Sequence, residues 1–313
     1  MSKLQKIAVS PHIHSGQSTS GIMRDVLIAL LPTTAAGVYL FGLRAALVLA
    51  VCIAACVGFE ALFNWITKKD QTVGDLSAAV TGLLLGLNLP VTIPLWQCVL
   101  GSLFAIIVVK CLFGGIGHNL VNPAITARVF MLVAFSTTMA GGAFTDPAPA
   151  GLDVVAGATP LAPGAPDRSL TDLLLGLHGG CIGEVCAVAL LLGGVYLVLR
   201  RVITWQVPVT FVATVFLFSL CMNNFNVTSA TAAILSGGLL LGAIFMATDY
   251  VTSPPTAWGK VIFGVGCGII TCLIRYFGSL PEGVSYAILF MNILTPYISK
   301  WTKHKIFGVG GVQ

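Results

Sequence analysis

Charged side chains are scarce in this sequence. Asp, Glu, Lys and Arg make up 9% of its 313 residues, about a third of the share a soluble globular chain carries, against 57% hydrophobic residues. So few charges exclude a soluble domain and call for a lipid-facing one. Cys-x-x-Cys pairs are also absent. The nine cysteines stand singly in apolar stretches, so there is no zinc, iron–sulfur or thioredoxin-like motif and no metal site is expected. Cys52 and Cys56 share a helix face at i, i+4, but two thiols alone do not hold a metal, and they read as small core residues. No basic run is long enough for nucleic acid or for dedicated anionic-lipid binding. The first twenty residues are polar and lack both an apolar core and a small-residue cleavage site. No leader is therefore expected to be removed, and the first spanning helix has to direct insertion.

What the chain does contain is a succession of apolar stretches. A spanning helix needs roughly 17–25 mostly apolar residues. Ten stretches qualify or nearly so, near 25–42, 45–66, 76–90, 94–113, 123–140, 178–199, 203–222, 230–247, 261–278 and 283–299. Those at 76–90 and 230–247 are short and rich in Gly, which predicts broken or tilted helices. The expected fold is an all-α polytopic membrane protein of about ten transmembrane helices. Its parts would be a cytoplasmic segment 1–24, a first transmembrane half 25–140, a loop 141–177, a second half 178–299 and a tail 300–313.

Lys and Arg collect on the cytoplasmic side of membrane proteins. With the N-terminus inside, that side receives Lys3, Lys6, Arg24, Lys68, Lys69, Lys110, Arg200, Arg201, Lys260, Lys300, Lys303 and Lys305. The outer side receives only Arg44, Arg168 and Arg275, and Arg128 falls just inside the fifth helix. Both termini are therefore expected to be cytoplasmic and the 141–177 loop outward. The chain also repeats itself. Thr81-Gly82-Leu83-Leu84-Leu85-Gly86 matches Ser236-Gly237-Gly238-Leu239-Leu240-Leu241-Gly242, and each is followed by a Pro-containing turn and a long apolar helix. Five spans per half place the halves in opposite orientation, the inverted-repeat plan of many transporters.

Two local motifs follow. The loop is dense in Gly, Ala and Pro, and long loops of this kind are usually functional or disordered. In Asp153-Val154-Val155-Ala156-Gly157-Ala158-Thr159-Pro160, small residues leave the Thr159 hydroxyl accessible, although taken alone the stretch is a turn signal. Asn122-Pro123-Ala124 reads as a capped helix start. Water channels use two such motifs, but the matching point of the second half reads Pro281-Glu282-Gly283.

Several blocks in order carry a resemblance. They are Ser10-Pro11-His12, Ile22 to Pro32, Gly117-His118-Asn119 through Ala124, Met246-Ala247-Thr248-Asp249, Thr252-Ser253-Pro254, Leu273-Ile274-Arg275, Pro281 to Ser285 and Met291-Asn292. Over essentially its whole length the chain resembles the D subunit of the Rnf complexes, and more distantly the B subunit of the sodium-translocating NADH:quinone reductase. The resemblance implies a subunit of an ion-translocating oxidoreductase in a bacterial inner membrane, not catalytic alone, coupling electron transfer between ferredoxin and NAD to Na+ or H+ movement. It implies partner subunits of the A, B, C, E and G types. It also implies FMN esterified through its phosphate to Thr159 by a flavin transferase, and a second, non-covalent flavin. In that motif Asp153 comes first and Gly157 and Ala158 supply the small residues, while Ala156 stands where many relatives carry Ser or Thr.

Carboxylates at membrane depth are costly and usually pair or function. Glu60, Asp75, Glu184 and Asp249 are the ones present. Asp249, flanked by Thr248 and Thr252 at a helix break, has the hydroxyls and freed carbonyls that suit a hard cation, and Glu60 is a further candidate on an ion pathway. The competing readings are a self-contained channel or carrier for a small solute and a structural scaffold. The first predicts no flavin, and the second an unmodified and dispensable Thr159.

Overall fold

The computed structural model of the chain describes residues 18–139, 144–147, 169–278 and 282–303. Among the described residues the structure is helical apart from connecting segments, with no strand running through it. Helix α1 spans Thr19–Phe41, starting six residues before the expected 25 because Ser18 caps it, its hydroxyl accepting from Gly21 N at 3.1 Å. Gly42, at φ 72°, ends α1, and α2, Leu43–Ile66, follows that single residue. On α2 the buried residues Ala45, Val48, Cys52, Cys56, Glu60 and Asn64 recur every three or four positions. Cys52 and Cys56 are therefore core residues on the inward stripe.

Helix α3, Ser77–Leu87, and α4, Leu95–Cys111, follow, the second half of α4 being π-helical. Asn122 caps α5, Pro123–Ala134, its Oδ1 accepting from Ala124 N at 3.0 Å and Ile125 N at 3.3 Å, and Pro123 occupies the first turn. Short α6, Ser136–Met139, and α7, Leu170–Leu175, lie on either side of the long loop. Helix α8 covers Ala187–Leu199 only, because Gly179, Gly180 and Gly183 keep the nine residues before it as a buried, non-helical segment, where a helix from 178 was expected. Next come α9, Gln206–Met222, α10, Val227–Leu235, and α11, Leu239–Met246. Helices α12, Ala257–Phe277, and α13, Val284–Trp301, complete the fold.

Of the two Gly-rich stretches, 230–247 is broken, as the sequence predicts, while 76–90 holds one short unbroken helix, α3. Gly237, at φ 69°, allows the 64° bend between α10 and α11. Leu76, at φ 64°, begins α3, where Asp75 Oδ1 accepts from Ser77 N at 2.7 Å. At 1.5 Å per residue α3 and α11 reach only roughly 16 and 12 Å, short of the ~30 Å hydrocarbon core. Their exposed backbone ends have to be covered by protein, and both helices are buried almost throughout. Helix α2 covers α3 so closely that a Cβ at Gly82 would lie 2.7 Å from the Cys52 carbonyl oxygen. Helix α9 packs on α12 through Gly264 and Gly268, which face Thr210 and Thr214 at small-residue spacing.

The chain is a membrane protein. By length and composition α1, α2 and α12 can each cross a bilayer, and the bent α10–α11 pair makes a fourth span if its halves count together. Helices α3, α4, α5, α8 and α9 are shorter apolar helices.

Candidate functional site

The end of α11 is held by residues from three other elements. Asn122 Nδ2 donates to the Met246 carbonyl at 3.4 Å, and Asn88 Nδ2 reaches Met246 Sδ at 3.6 Å. Thr295 Oγ1 on α13 donates to the Thr252 carbonyl at 2.9 Å. With its amide oriented to suit both neighbours, Asn292 donates to the same carbonyl at 3.3 Å and accepts from Asn122 N at 3.1 Å. The turn after α11 is thus fixed from both halves of the chain. In it, Asp249 Oδ1 accepts from Val251 N at 3.3 Å and Oδ2 from Thr252 Oγ1 at 3.2 Å. Thr248 donates its hydroxyl back to the Ile244 carbonyl at 2.6 Å.

Asp249 and Thr248 border a cavity of about 100 Å³ lined by α1, α3, α4, α5, α8 and α11. Ser77, Thr81, Lys110, Asn119 and Asn122 supply the rest of its polar wall. Asn119 Oδ1 is buried with no hydrogen-bond partner among the described residues. An orphan acceptor at the polar side of a mostly apolar cavity suits a water or cation guest.

Lys110 joins this cavity to Glu60. Its Nζ lies 2.9 and 3.0 Å from the two Glu60 oxygens and also donates to Ser77 Oγ, while Thr72 Oγ1 donates to Glu60 Oε1 at 2.7 Å. Glu60 therefore stands one side chain behind the cavity wall, and Thr252 lies outside that wall, its hydroxyl on Asp249 and its carbonyl on Thr295 and Asn292. The charge pattern of the sequence assigns Lys110 to the cytoplasmic side. The structure buries it fully, 50 residues from its partner. The signal that could have found it is a lysine placed before, not after, the end of an apolar helix.

A second buried cluster lies where the other ends of the short helices meet. Arg128 on α5 pairs with Glu282, donates to Asn88 Oδ1 at 2.8 Å and lies 3.9 Å from Glu184. Glu282 also accepts from Gly238 N at 2.9 Å. Asn88 is the C-cap of α3 and Gly238 the N-cap of α11. The cation thus serves a helix C-terminus and the carboxylate a helix N-terminus, each complementing the local dipole. Arg275, expected among the outer charges, is turned onto the carbonyls of Ala233 (2.7 Å) and Ser236 (3.2 Å) that the break leaves free.

Asp153, Gly157, Ala158 and Thr159 lie outside the described residues. Residues 6–308 match the family described as NQR2, RnfD, RnfE. The chain belongs to that family. It is 45% identical, over 98% of its length and 96% of the relative's, to the D subunit of the Na(+)-translocating ferredoxin:NAD(+) oxidoreductase complex of Acetobacterium woodii. It is 37% identical to the D subunit of the proton-translocating ferredoxin:NAD(+) oxidoreductase complex of Clostridium ljungdahlii, over 96% of both chains. The D subunit of the ion-translocating oxidoreductase complex of Halorhodospira halophila is 34% identical over 97% of this chain and 96% of its own. The family match takes in both buried charge clusters, the α11 turn and the loop bearing Thr159.

Proposed function

We propose that this chain is the D subunit of an Rnf-type complex that couples electron transfer between ferredoxin and NAD to translocation of Na+ or H+. The observation that carries this is near-full-length similarity to relatives named for that reaction, one sodium-translocating and one proton-translocating. Its partners are the remaining Rnf subunits and membrane lipid, and its place is the bacterial inner membrane.

The reading includes ten spans in two inverted five-helix repeats, with both termini cytoplasmic and the loop outward. Pairing of equivalent elements supports it: α1 packs on α8, α5 on α13, α2 on α4 as α9 does on α12. A fourth-span cation also meets each break, Lys110 at the start of α3 and Arg275 at the end of α10. The ion pathway runs past the inner cavity, with Asp249 and Thr248 in its wall, Thr252 steadying Asp249, and Glu60 balancing Lys110.

The reading further includes FMN esterified to Thr159 by a flavin transferase, with Asp153, Gly157 and Ala158 completing the motif, and a second flavin held without a covalent bond. Bound FMN supplies one- and two-electron chemistry that no side chain offers. The test is co-expression with the transferase and inspection of the denatured protein for ultraviolet fluorescence. Wild type should give a yellow fluorescent band, Thr159→Ala none, and Thr159→Ser partial labelling, since the lost methyl group helps set the hydroxyl rotamer. Fluorescence that survives Thr159→Ala would move the attachment elsewhere.

A further inference from the structure

Helices α8 and α9 diverge around a groove of about 280 Å³ with walls of Leu191, Val195 and Val198 on one side and Trp205 and Val209 on the other. Its floor is Gly194 against Ile244, where even a Cβ would approach Ile244 to 3.0 Å. Leu191, Val195, Trp205 and Val209 are each at least 45% exposed, so the groove opens sideways from the bundle. Every residue that lines the groove is apolar.

The turn joining the two helices, between the groove residues Leu199 and Ile203, carries Arg200 and Arg201. Arg200 is engaged, its Nη2 3.1 Å from Asp25 Oδ2, with the Tyr196 hydroxyl on the same carboxylate at 3.2 Å. Arg201 is exposed and makes no ion pair among the described residues. It sits at φ 56°, a left-handed conformation better suited to Gly, and its N–H donates to the Val198 carbonyl at 3.0 Å. Trp205, four residues on, has the interfacial character that anchors side chains at headgroup level.

We propose that this groove binds one anionic phospholipid, an acyl chain lying between α8 and α9 and the phosphate resting on Arg201. The sequence offers no basic run for such binding, and none is needed once a single free guanidinium stands in the turn that borders an apolar groove. The assignment is independent of the flavin and of the ion pathway.

The test uses the intact complex, delipidated in detergent, re-exposed to phosphatidylglycerol or phosphatidylcholine of identical chains, and weighed by native mass spectrometry. Wild type should retain one phosphatidylglycerol in preference to phosphatidylcholine. Arg201→Gln should lower that preference about fivefold, roughly the worth of one basic residue at an anionic surface, while Arg201→Lys keeps most of it. Val195→Trp, which fills the groove from an exposed position, should remove retention of both lipids. Equal retention of the two lipids by wild type, an unchanged preference in Arg201→Gln, or cross-linking of Val195→Cys to another subunit in the complex would each overturn the proposal.

Discussion

Lys110 and Glu60 form a buried ion pair across 50 residues of sequence, with Nζ 2.9 Å from Oε1 and both side chains almost wholly shielded. Breaking such a pair from one side leaves an uncompensated charge and costs about 3–5 kcal/mol, whereas removing both charges costs far less. Lys110→Met should therefore lower the thermal unfolding midpoint in detergent markedly, and adding Glu60→Gln should recover part of the loss. A single variant as stable as wild type would mean that the pair is not held together as described.

Arg128 touches two carboxylates, whereas Glu282 touches Arg128 and feels Arg275 at longer range, so their variants should differ. Arg128→Gln removes the cation in contact with Glu184 and Glu282 and leaves them only the weaker attraction of Arg275. Glu282→Gln keeps an oxygen for Gly238 N, and Arg128 keeps Glu184 as a neighbour. The arginine variant should be the less stable by at least ~1 kcal/mol, consistent with the cost of leaving charged groups unmatched. Denaturation in detergent gives the order, and the reverse order would refute this pairing.

Asp249→Asn preserves the side-chain oxygen that Val251 N donates to and removes the charge at the cavity. Assembly and ferredoxin-driven electron transfer should persist, while ion uptake into everted vesicles falls several-fold per electron. Unchanged ion uptake in the assembled mutant complex would remove Asp249 from the pathway.

The proposed orientation is open to labelling with an impermeant thiol reagent, in a chain whose exposed Cys221 is first replaced by Ser. A cysteine in place of Ala165 should react from outside intact cells, and one in place of Lys303 should not. The opposite pattern would invert every span.

Much of the local structure is legible in the sequence because its causes are local. Asn122-Pro123 caps a helix by its own side-chain oxygen and ring, and Gly237 permits a bend no bulkier residue would favour. The helix predicted from 178 is the instructive miss. Apolar character runs through 178–186, but three glycines and the need to pass Leu87 and Leu89 closely favour a packed irregular segment. There Gly183 N donates to the Leu87 carbonyl at 2.8 Å and Ile182 N to that of Leu89 at 3.1 Å. Those bonds satisfy carbonyls at the end of α3, a requirement that appears only once α3 is known to stop inside the bundle.

The sequence by itself determined that this protein lives in a membrane, that α5 starts after Asn122 and the 230–247 stretch breaks, and to which family it belongs. These depend on composition, on neighbours a few residues apart and on the order of motifs along the chain. Which charges are solvent-facing and which are internal was decided only by the tertiary structure. A lysine near a helix end reaches water and a buried carboxylate equally well, and the choice depends on what another helix places within hydrogen-bonding reach. For Lys110 that is Glu60, for Arg128 it is Glu282 and for Arg275 the carbonyls of a broken helix, while Arg201 is left facing outward beside an apolar groove.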